Sequence, residues 1–352
     1  MTEPLLFLEE LPDEVTATIE ARERALAALG SASGGLEFVV QRLQRWVPGS
    51  TVRVAFLGGD TELHQDIAEV AGSIGERCNL VLDFGFDAET GSYRTWSADD
   101  EEHRAEIRVS FDQGGFFSLV GTDSIAEDVG PPTGAVGGRP GQRSLNLGGF
   151  HIQRPASWMG TVLHEFLHAL SFHHEHANFR GPCQLAFRWE DDVGYIPTKD
   201  SRGVFVQDSI GRRPGIYTYL SGAPNFWSRG KVDHNLKEVR GPGIEVSAFD
   251  RASVMLYRFP ALFYRTPNSD CAPRGDGQSL SEGDTSGLEN LYPSDSEAVA
   301  HVEEEKRGLL EELVSRDSDS EEGLESAGPP AARLTEALAP SVDSLKRQLG
   351  KK

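Results

Sequence analysis

The stretch that decides the fold runs from Thr161 to His176 and reads T-V-L-H-E-F-L-H-A-L-S-F-H-H-E-H. Within it, His164, Glu165 and His168 form the pattern H-E-x-x-H. On a helix, positions i and i+4 are neighbours about 5–6 Å apart, so both imidazoles can reach one zinc ion at about 2.0–2.1 Å. The glutamate can hold a water on the metal as general base. For this pattern alone, a helix with histidines on its solvated face is the competing interpretation.

Composition limits the class of protein. The chain has 352 residues, which as a prior predicts about two domains. Its five Trp and eighteen Phe can build a substantial core. No apolar run reaches the roughly 18 residues of a membrane span, so we predict no membrane partner. The formal charge of −21 favours solubility and argues against a nucleic-acid partner, because phosphates repel such a surface.

The N-terminal residues and the cysteines bear on the cellular compartment. Met1 to Gly30 lacks a basic segment followed by an apolar one, so no secretory signal is visible. This favours the cytoplasm or an unconventional export route and leaves the location unknown. Three cysteines allow at most one disulfide, and Cys183 with Cys271 is the expected pair because both fall in the same C-terminal region.

The order of predicted elements indicates the fold class. Residues 1–49 read as an accessory helical segment with a break at Gly30–Gly35. A helix is predicted at Thr61–Ile74 from apolar residues at helical spacing. Five alternating or β-branched runs predict strands, at Thr51–Leu57, Leu80–Phe86, Glu106–Phe111, Phe116–Val120 and Ser144–Leu147. Strands and helices in this order predict an α/β layer with a mixed sheet.

The C-terminal part has a different composition. Ser281 with Asp284 resembles a capping box that opens a short helix ended by Pro293. Residues 294–352 are acidic and predict a charged helix, a linker through Pro330 and an amphipathic helix, Ala331–Leu349, outside the catalytic core. The predicted domains are therefore 1–49, 50–293 and 294–352.

A catalytic zinc takes three protein ligands and keeps a position for water. His174 follows His168 by six residues, which is about 600° of helical rotation, so a straight helix cannot present both to one ion. The chain must turn between them if His174 is the third ligand.

At this point the chain resembles a known family. The run from His164 to His174 is similar to the metzincin pattern H-E-x-x-H-x-x-G-x-x-H, and Glu175 directly after it resembles the astacin family. Ser253-Val254-Met255-Leu256-Tyr257 resembles the astacin Met-turn. Weaker similarity to bacterial and fungal astacin-like peptidases extends the match to roughly Ser50–Pro293.

The resemblance implies a fold and a site. The fold would be α/β (α+β): a metzincin-type catalytic domain with a twisted mixed five-stranded sheet, an active-site helix and an irregular C-terminal subdomain. Its upper half would be 50–174 and its lower half 175–293. One zinc ion per chain would be bound by His164, His168 and His174, and Met255 would pack beneath it as a floor. Glu165 and Tyr257 would be the catalytic residues.

The implied function is a zinc-dependent endopeptidase acting on protein or peptide substrates. Glu165 would assist the attack of a zinc-bound water, and Tyr257 would stabilise the oxyanion. The substrate would add as a strand along Phe116–Val120. A catalytically weak or inactive zinc-binding interaction module is the alternative, and hydrolysis of a non-peptide amide is a third possibility. The oligomeric state is not predicted.

Two features depart from the simplest match. Ser171 stands where the pattern has glycine. The turn is expected to need positive φ, which costs residues other than glycine roughly 1 kcal/mol or more, so serine implies strain or a slightly different turn. His173 and His176 can compete as the third ligand. Spacing favours His174, and the other two are interpreted as rim residues.

Overall fold

The computed structural model of the chain describes residues 8–30, 43–238, 247–323, 343 and 345–350. The chain divides into two compact units. The sheet unit comprises Glu10–Phe172, Gly241–Glu245 and Asp284–Lys352. The loop unit comprises Met1–Glu9, His173–Arg240 and Val246–Gly283. Among the described residues, no helix is both long enough and apolar enough to cross a membrane.

The sheet unit is built on five strands: β1 (Thr51–Leu57), β2 (Val81–Asp83), β3 (Ile107–Ser110), β4 (Phe116–Ser118) and β5 (Leu145–Leu147). They lie in the order β2-β1-β3-β5-β4. Only the β4–β5 pairing within this sheet is antiparallel. The predicted α/β class with a mixed five-stranded sheet is therefore confirmed. β2 is shorter than predicted because the backbone turns to a loop beyond Asp83, where the Phe84 carbonyl accepts from the Arg94 amide at 3.1 Å.

The named helices of the described residues are α1 (Asp13–Gly30), α2 (Thr61–Gly75), α3 (Trp158–Ala169), α4 (Cys183–Ala186), α5 (Ile216–Leu220), α6 (Arg229–Leu236), α7 (Glu282–Leu291) and α8 (Ser296–Gly323). In the sheet unit, Asp60 caps the N-terminus of α2, and its side chain accepts from the Leu63 amide. It buries Leu63, Ile67, Ala71 and Ile74, a helical stripe. α3 is mostly buried, and its Phe166 ring lies 6.0 Å from that of Phe84.

A buried arginine orders the long Gly/Pro-rich loop between β4 and β5. The Arg108 side chain on β3 is fully buried. Its Nη2 donates to the carbonyls of Ser124 at 2.7 Å and Gly137 at 3.0 Å, and its Nε donates to Gln142 O at 2.6 Å. Burial lowers the pKa of Arg108 to about 9. The loop is thus held by one side chain that supplies donors to carbonyls far apart in sequence.

The N-terminal segment packs within the sheet unit. Val15 of α1 is fully buried in a cluster with Phe117 and Leu119. Arg22 makes two 2.8 Å contacts to the carboxylate of Asp123. The segment is helical as predicted over α1, and most of the predicted break at Gly30–Gly35 lies outside the described residues.

The loop unit has little regular structure, as the predicted irregular subdomain implied. Its strands β6 (Thr198–Lys199) and β7 (Phe205–Val206) form a two-stranded antiparallel sheet. The predicted pair Cys183–Cys271 is confirmed as a disulfide, and both residues are fully buried in the core of this unit. Side chains hold part of the irregular backbone: the Asp208 carboxylate accepts from the amides of Ile196 and Ile210.

The acidic C-terminal segment contains the predicted charged helix, which is α8. Residues 345–350 are also helical and contribute the fully buried Leu345. Both belong to the sheet unit. The predicted linker, and most of the predicted Ala331–Leu349 helix, fall outside the described residues.

Candidate functional site

Three predicted site residues lie on α3 in the sheet unit. His164, Glu165 and His168 are 8%, 2% and 4% exposed, so this helix face is buried and the interpretation as a solvated face is excluded. The Nε2 atoms of His164 and His168 are 3.2 Å apart. Two nitrogen ligands of a tetrahedral zinc ion lie about 3.4 Å apart. The two imidazoles therefore have the separation that a shared ion requires.

A carbonyl fixes the ring of His168. Its Nδ1 lies 2.7 Å from the carbonyl oxygen of Phe172. Because the carbonyl can only accept, Nδ1 carries the proton and Nε2 presents its lone pair toward His164. Metal-binding histidines commonly donate their second ring N–H in this way.

The carbonyl of Phe172 reaches His168 because α3 ends in a tight left-handed turn. The Phe172 amide donates to Leu167 O at 3.0 Å and the Ser171 amide to His168 O at 2.8 Å, which is the Schellman arrangement. Ser171 occupies the left-handed position with φ 72°. The prediction of positive φ at this residue is confirmed.

The unfavourable conformation of Ser171 has a local compensation. Its hydroxyl donates to the carbonyl of Gln44 at 2.8 Å. The left-handed conformation costs a non-glycine residue roughly 1–2 kcal/mol. An intramolecular hydrogen bond contributes about 0.5–1.5 kcal/mol, so the two effects are similar in size.

His174 and Tyr257 come together in the loop unit. Their ring centroids are 4.3 Å apart. Glu9 joins them, because its Oε2 lies 3.0 Å from His174 Nε2 and accepts from the Tyr257 hydroxyl at 3.0 Å. Tyr257 thus has a carboxylate acceptor beside a predicted metal ligand.

Met255 and Glu175 are linked through the backbone of the same unit. The Glu175 amide donates to Met255 O at 3.0 Å. Met255 is 1% exposed, and its own amide donates to Ser253 Oγ at 3.0 Å. The side chain of Glu175 accepts from the Asp250 amide at 2.9 Å. The chain after His174 is therefore fixed to the predicted Met-turn.

The interpretation of His176 as a rim residue was wrong. It is 1% exposed, and its ring stacks on Tyr257 at a centroid distance of 5.2 Å. Its Nε2 lies 3.0 Å from Asn235 O. The cause is the short 3-10 helix Glu175–Ala177, which turns His176 into the aromatic core. His173 is exposed, as a rim residue should be.

Sequence reasoning missed Glu9. It lies in an acidic segment where nothing in the local pattern separates it from Glu10 or Asp13. Its contact partners are 165 and 248 residues away in the chain. Only the fold brings such residues together.

Comparison with known proteins gives limited likeness. No protein-family model matches the chain, and no curated protein does. Two solved structures of myroilysin align with it. One has 24% identity and a TM-score of 0.48 over 72% of this chain and 97% of the other. The second has 23% identity and a TM-score of 0.41 over 71% and 86%.

A third structure is high choriolytic enzyme 1, a hatching-enzyme zinc-protease from Oryzias latipes (medaka fish). It aligns at 12% identity and a TM-score of 0.37, over 69% of this chain and 88% of the other. At these scores the likenesses carry nothing about the chemistry of this chain, and the residues of its own site have to support a function.

Proposed function

We propose that the chain is a zinc-dependent endopeptidase of the astacin-like type. The observation that carries the proposal is the pair of buried imidazoles on α3, His164 and His168, with Nε2 atoms 3.2 Å apart and Glu165 between them in sequence.

The donor set fits zinc. Neutral imidazole nitrogens are ligands that zinc prefers, and a catalytic site uses three protein ligands. We propose His164, His168 and His174 as the ligands of one ion per chain. The zinc, when bound, supplies a Lewis acid that makes a water nucleophilic near neutral pH.

The residues of the chain would perform the remaining steps. Glu165 accepts the proton of the attacking water and then delivers it to the leaving amine. The Tyr257 hydroxyl donates to the oxyanion that forms at the scissile carbonyl, once it leaves Glu9. Met255 would pack beneath the ion as a floor and would not bind it.

An extended peptide is the substrate form that suits the sheet. β4 is the terminal strand in the order β2-β1-β3-β5-β4 and pairs with β5 alone in the described sheet. A peptide can add to such an edge through main-chain hydrogen bonds. We propose that substrates bind along Phe116–Val120, as the sequence predicted.

The test compares the parent with Glu165→Ala in casein cleavage, with zinc content measured on the same samples. Loss of a general base lowers the rate by roughly 100-fold or more, while zinc remains bound because Glu165 is not a ligand. Glu62→Ala is the matched control, since Glu62 is an exposed carboxylate in the first turn of α2. It should cleave like the parent.

Other outcomes separate the alternatives. Equal cleavage by Glu165→Ala and the parent would refute the mechanism. Stoichiometric zinc in a parent that cleaves no member of a broad peptide library would instead favour the inactive zinc-binding module. Cleavage that survives complete removal of zinc by a chelator would refute the metal requirement.

A further inference from the structure

The turn that ends α3 is bonded to a segment distant in sequence. Ser171 and Gln44, the donor and acceptor of the 2.8 Å hydroxyl bond, are 127 residues apart. Two residues earlier, the Ala169 carbonyl accepts from the indole of Trp46 at 2.8 Å. Residues 43–47 therefore hold the end of the helix that carries His164 and His168.

The acceptor carbonyl is itself fixed by a buried polar network. Gln44 is 4% exposed, and its Nε2 donates to the Asp123 carboxylate at 2.8 Å. The same carboxylate pairs with Arg22 of α1 at 2.8 Å. Next to Gln44, the Leu43 carbonyl accepts from Thr122 Oγ1 at 2.6 Å. The position of Gln44 O thus depends on contacts to both α1 and the loop after β4.

The Ser171–Gln44 hydrogen bond fits only because residue 121, which packs against it, is a glycine. Gly121 has φ 53°, and a Cβ atom there would lie 2.0 Å from Gln44 O and 2.2 Å from Ser171 Oγ. The Tyr292 hydroxyl, more than 120 residues further along the chain, lies 3.0 Å from Leu170 O and 3.4 Å from Ser171 Oγ. The hydroxyl of Ser171 is enclosed by groups from three separate segments.

A glycine at position 171 could adopt the same φ without a hydroxyl, so the turn alone does not explain a serine. What the hydroxyl adds is the bond to Gln44. This bond determines the position of the turn. The turn in turn determines the position of the Phe172 carbonyl, which fixes the tautomer of His168.

We propose that Ser171 is a positioning residue for the metal ligand His168. It acts through the Ser171–Gln44 bond on the turn and on the Phe172 carbonyl. The inference rests on the proposed zinc site, but it concerns the apo chain as well, because the tautomer of His168 is set before any metal binds. By the same contacts, residues 43–47 and α1 support the end of the helix that carries His168.

The experiment uses the full-length chain and the variants Ser171→Gly and Ser171→Ala. Ser73→Ala is the control, because Ser73 in α2 also donates its hydroxyl to a carbonyl, that of Val70. Three quantities are measured: the zinc dissociation constant, amide exchange at Phe172 in apo protein, and the imidazole nitrogen shifts of His168 in apo protein. The two apo measurements do not depend on activity.

For Ser171→Gly we expect zinc affinity to fall by about tenfold, the lower end for loss of an outer partner of a metal ligand. Exchange at Phe172 should be about tenfold faster, and the His168 shifts should report a mixture of tautomers. Ser171→Ala should show larger changes. Alanine loses the bond to Gln44 and still has to adopt the left-handed conformation, which is unfavourable for any residue but glycine. Ser73→Ala should match the parent in all three.

The decisive variant is Ser171→Gly, since glycine folds without backbone strain even where alanine does not. If it equals the parent in zinc affinity, exchange and His168 shifts, the positioning role is overturned. Weakened zinc binding in a chain whose parent cleaves no peptide would support the positioning role and reject the endopeptidase. A parent that binds no zinc would overturn both.

Gln44→Ala tests the route of the effect. It removes the side-chain bond to Asp123 and so loosens the carbonyl that Ser171 uses. Alone, it should weaken zinc binding less than Ser171→Gly. Combined with Ser171→Gly, it should add little, because both changes act on one bond. Fully additive losses would overturn the Gln44 route.

Discussion

At the scale of single residues, the proposed mechanism makes its sharpest prediction for the hydroxyl of Tyr257. It packs against His174 and donates to Glu9. For Tyr257→Phe we expect kcat to fall by roughly 100-fold with KM and zinc content little changed, because the proposed oxyanion donor is lost. Steady-state kinetics on a fluorogenic peptide measures this. Tyr195→Phe, which removes a hydroxyl bond to Val206 O in the same unit, is the control. A variant that raises KM alone would place Tyr257 in substrate binding instead.

Glu9 offers a prediction of opposite sign. Its carboxylate accepts the Tyr257 hydroxyl, and that donor cannot serve an oxyanion at the same time. For Glu9→Ala we expect kcat to rise by about tenfold, since a hydrogen bond to a charged group contributes about 1.5–3 kcal/mol. Glu14→Ala, at an exposed position in the first turn of α1, should leave kcat unchanged. Unchanged or reduced turnover in Glu9→Ala would show that the contact does not restrain Tyr257.

At the scale of elements, α8 contains a buried lysine that couples its packing to pH. Lys306 is 2% exposed and donates to Gln348 Oε1 at 2.9 Å. Burial, assisted by the charge of Arg45, lowers the pKa of Lys306 to about 7. Between that value and the ordinary pKa of lysine, the unfolded chain binds more protons than the folded one. Stability should therefore rise with pH from about 7 to about 10.

Lys306→Met tests this coupling. It should raise the melting temperature near pH 7, by roughly 3 °C per kcal/mol for a chain of this size, and flatten its rise with pH. Lys346→Met, at a side chain that is 56% exposed, is the control and should keep the slope of the parent. Thermal melts at several pH values decide between them. Parallel slopes for Lys306→Met and the parent would contradict the prediction.

The elements themselves were largely predictable from sequence, because local patterns determine them. Alternation located β1 to the residue, at Thr51–Leu57. Strand ends were overestimated where a loop takes over the hydrogen bonds, as at Asp83. The loop after β4 could be recognised as a loop from its Gly and Pro content. That this loop has a fixed conformation could not be predicted, because the conformation depends on hydrogen bonds from the buried Arg108 side chain.

At the scale of the whole molecule, the candidate site also has features that local sequence predicts and features that it does not. The closeness of His164 and His168 follows from their spacing along one helix, and the left-handed turn follows from the position of Ser171 in the pattern. Glu9 and the buried state of His176 do not, because both depend on contacts across long sequence separations. The partner of Ser171 was equally hidden, since Gln44 comes before β1.

The loop unit, with short elements and few ladder bonds, should depend on its disulfide. Cys183 and Cys271 are 88 residues apart and both lie in its core. A cross-link over a loop of this length stabilises the folded state by about 4 kcal/mol through the entropy of the unfolded chain. Replacing both cysteines with serine should lower the free energy of unfolding of this unit by about that amount and shift its denaturation midpoint down.

Cys78→Ser is the matched control, because Cys78 is a free cysteine in the sheet unit whose sulfur already faces the Ile74 carbonyl. Chemical denaturation of the three proteins, with and without reductant, provides the measurement. Reductant should bring the parent and Cys78→Ser down to the level of the double variant and leave the double variant unchanged. A double variant as stable as the parent would mean that aromatic packing around Phe187 and Phe263, without the cross-link, is enough to hold this unit.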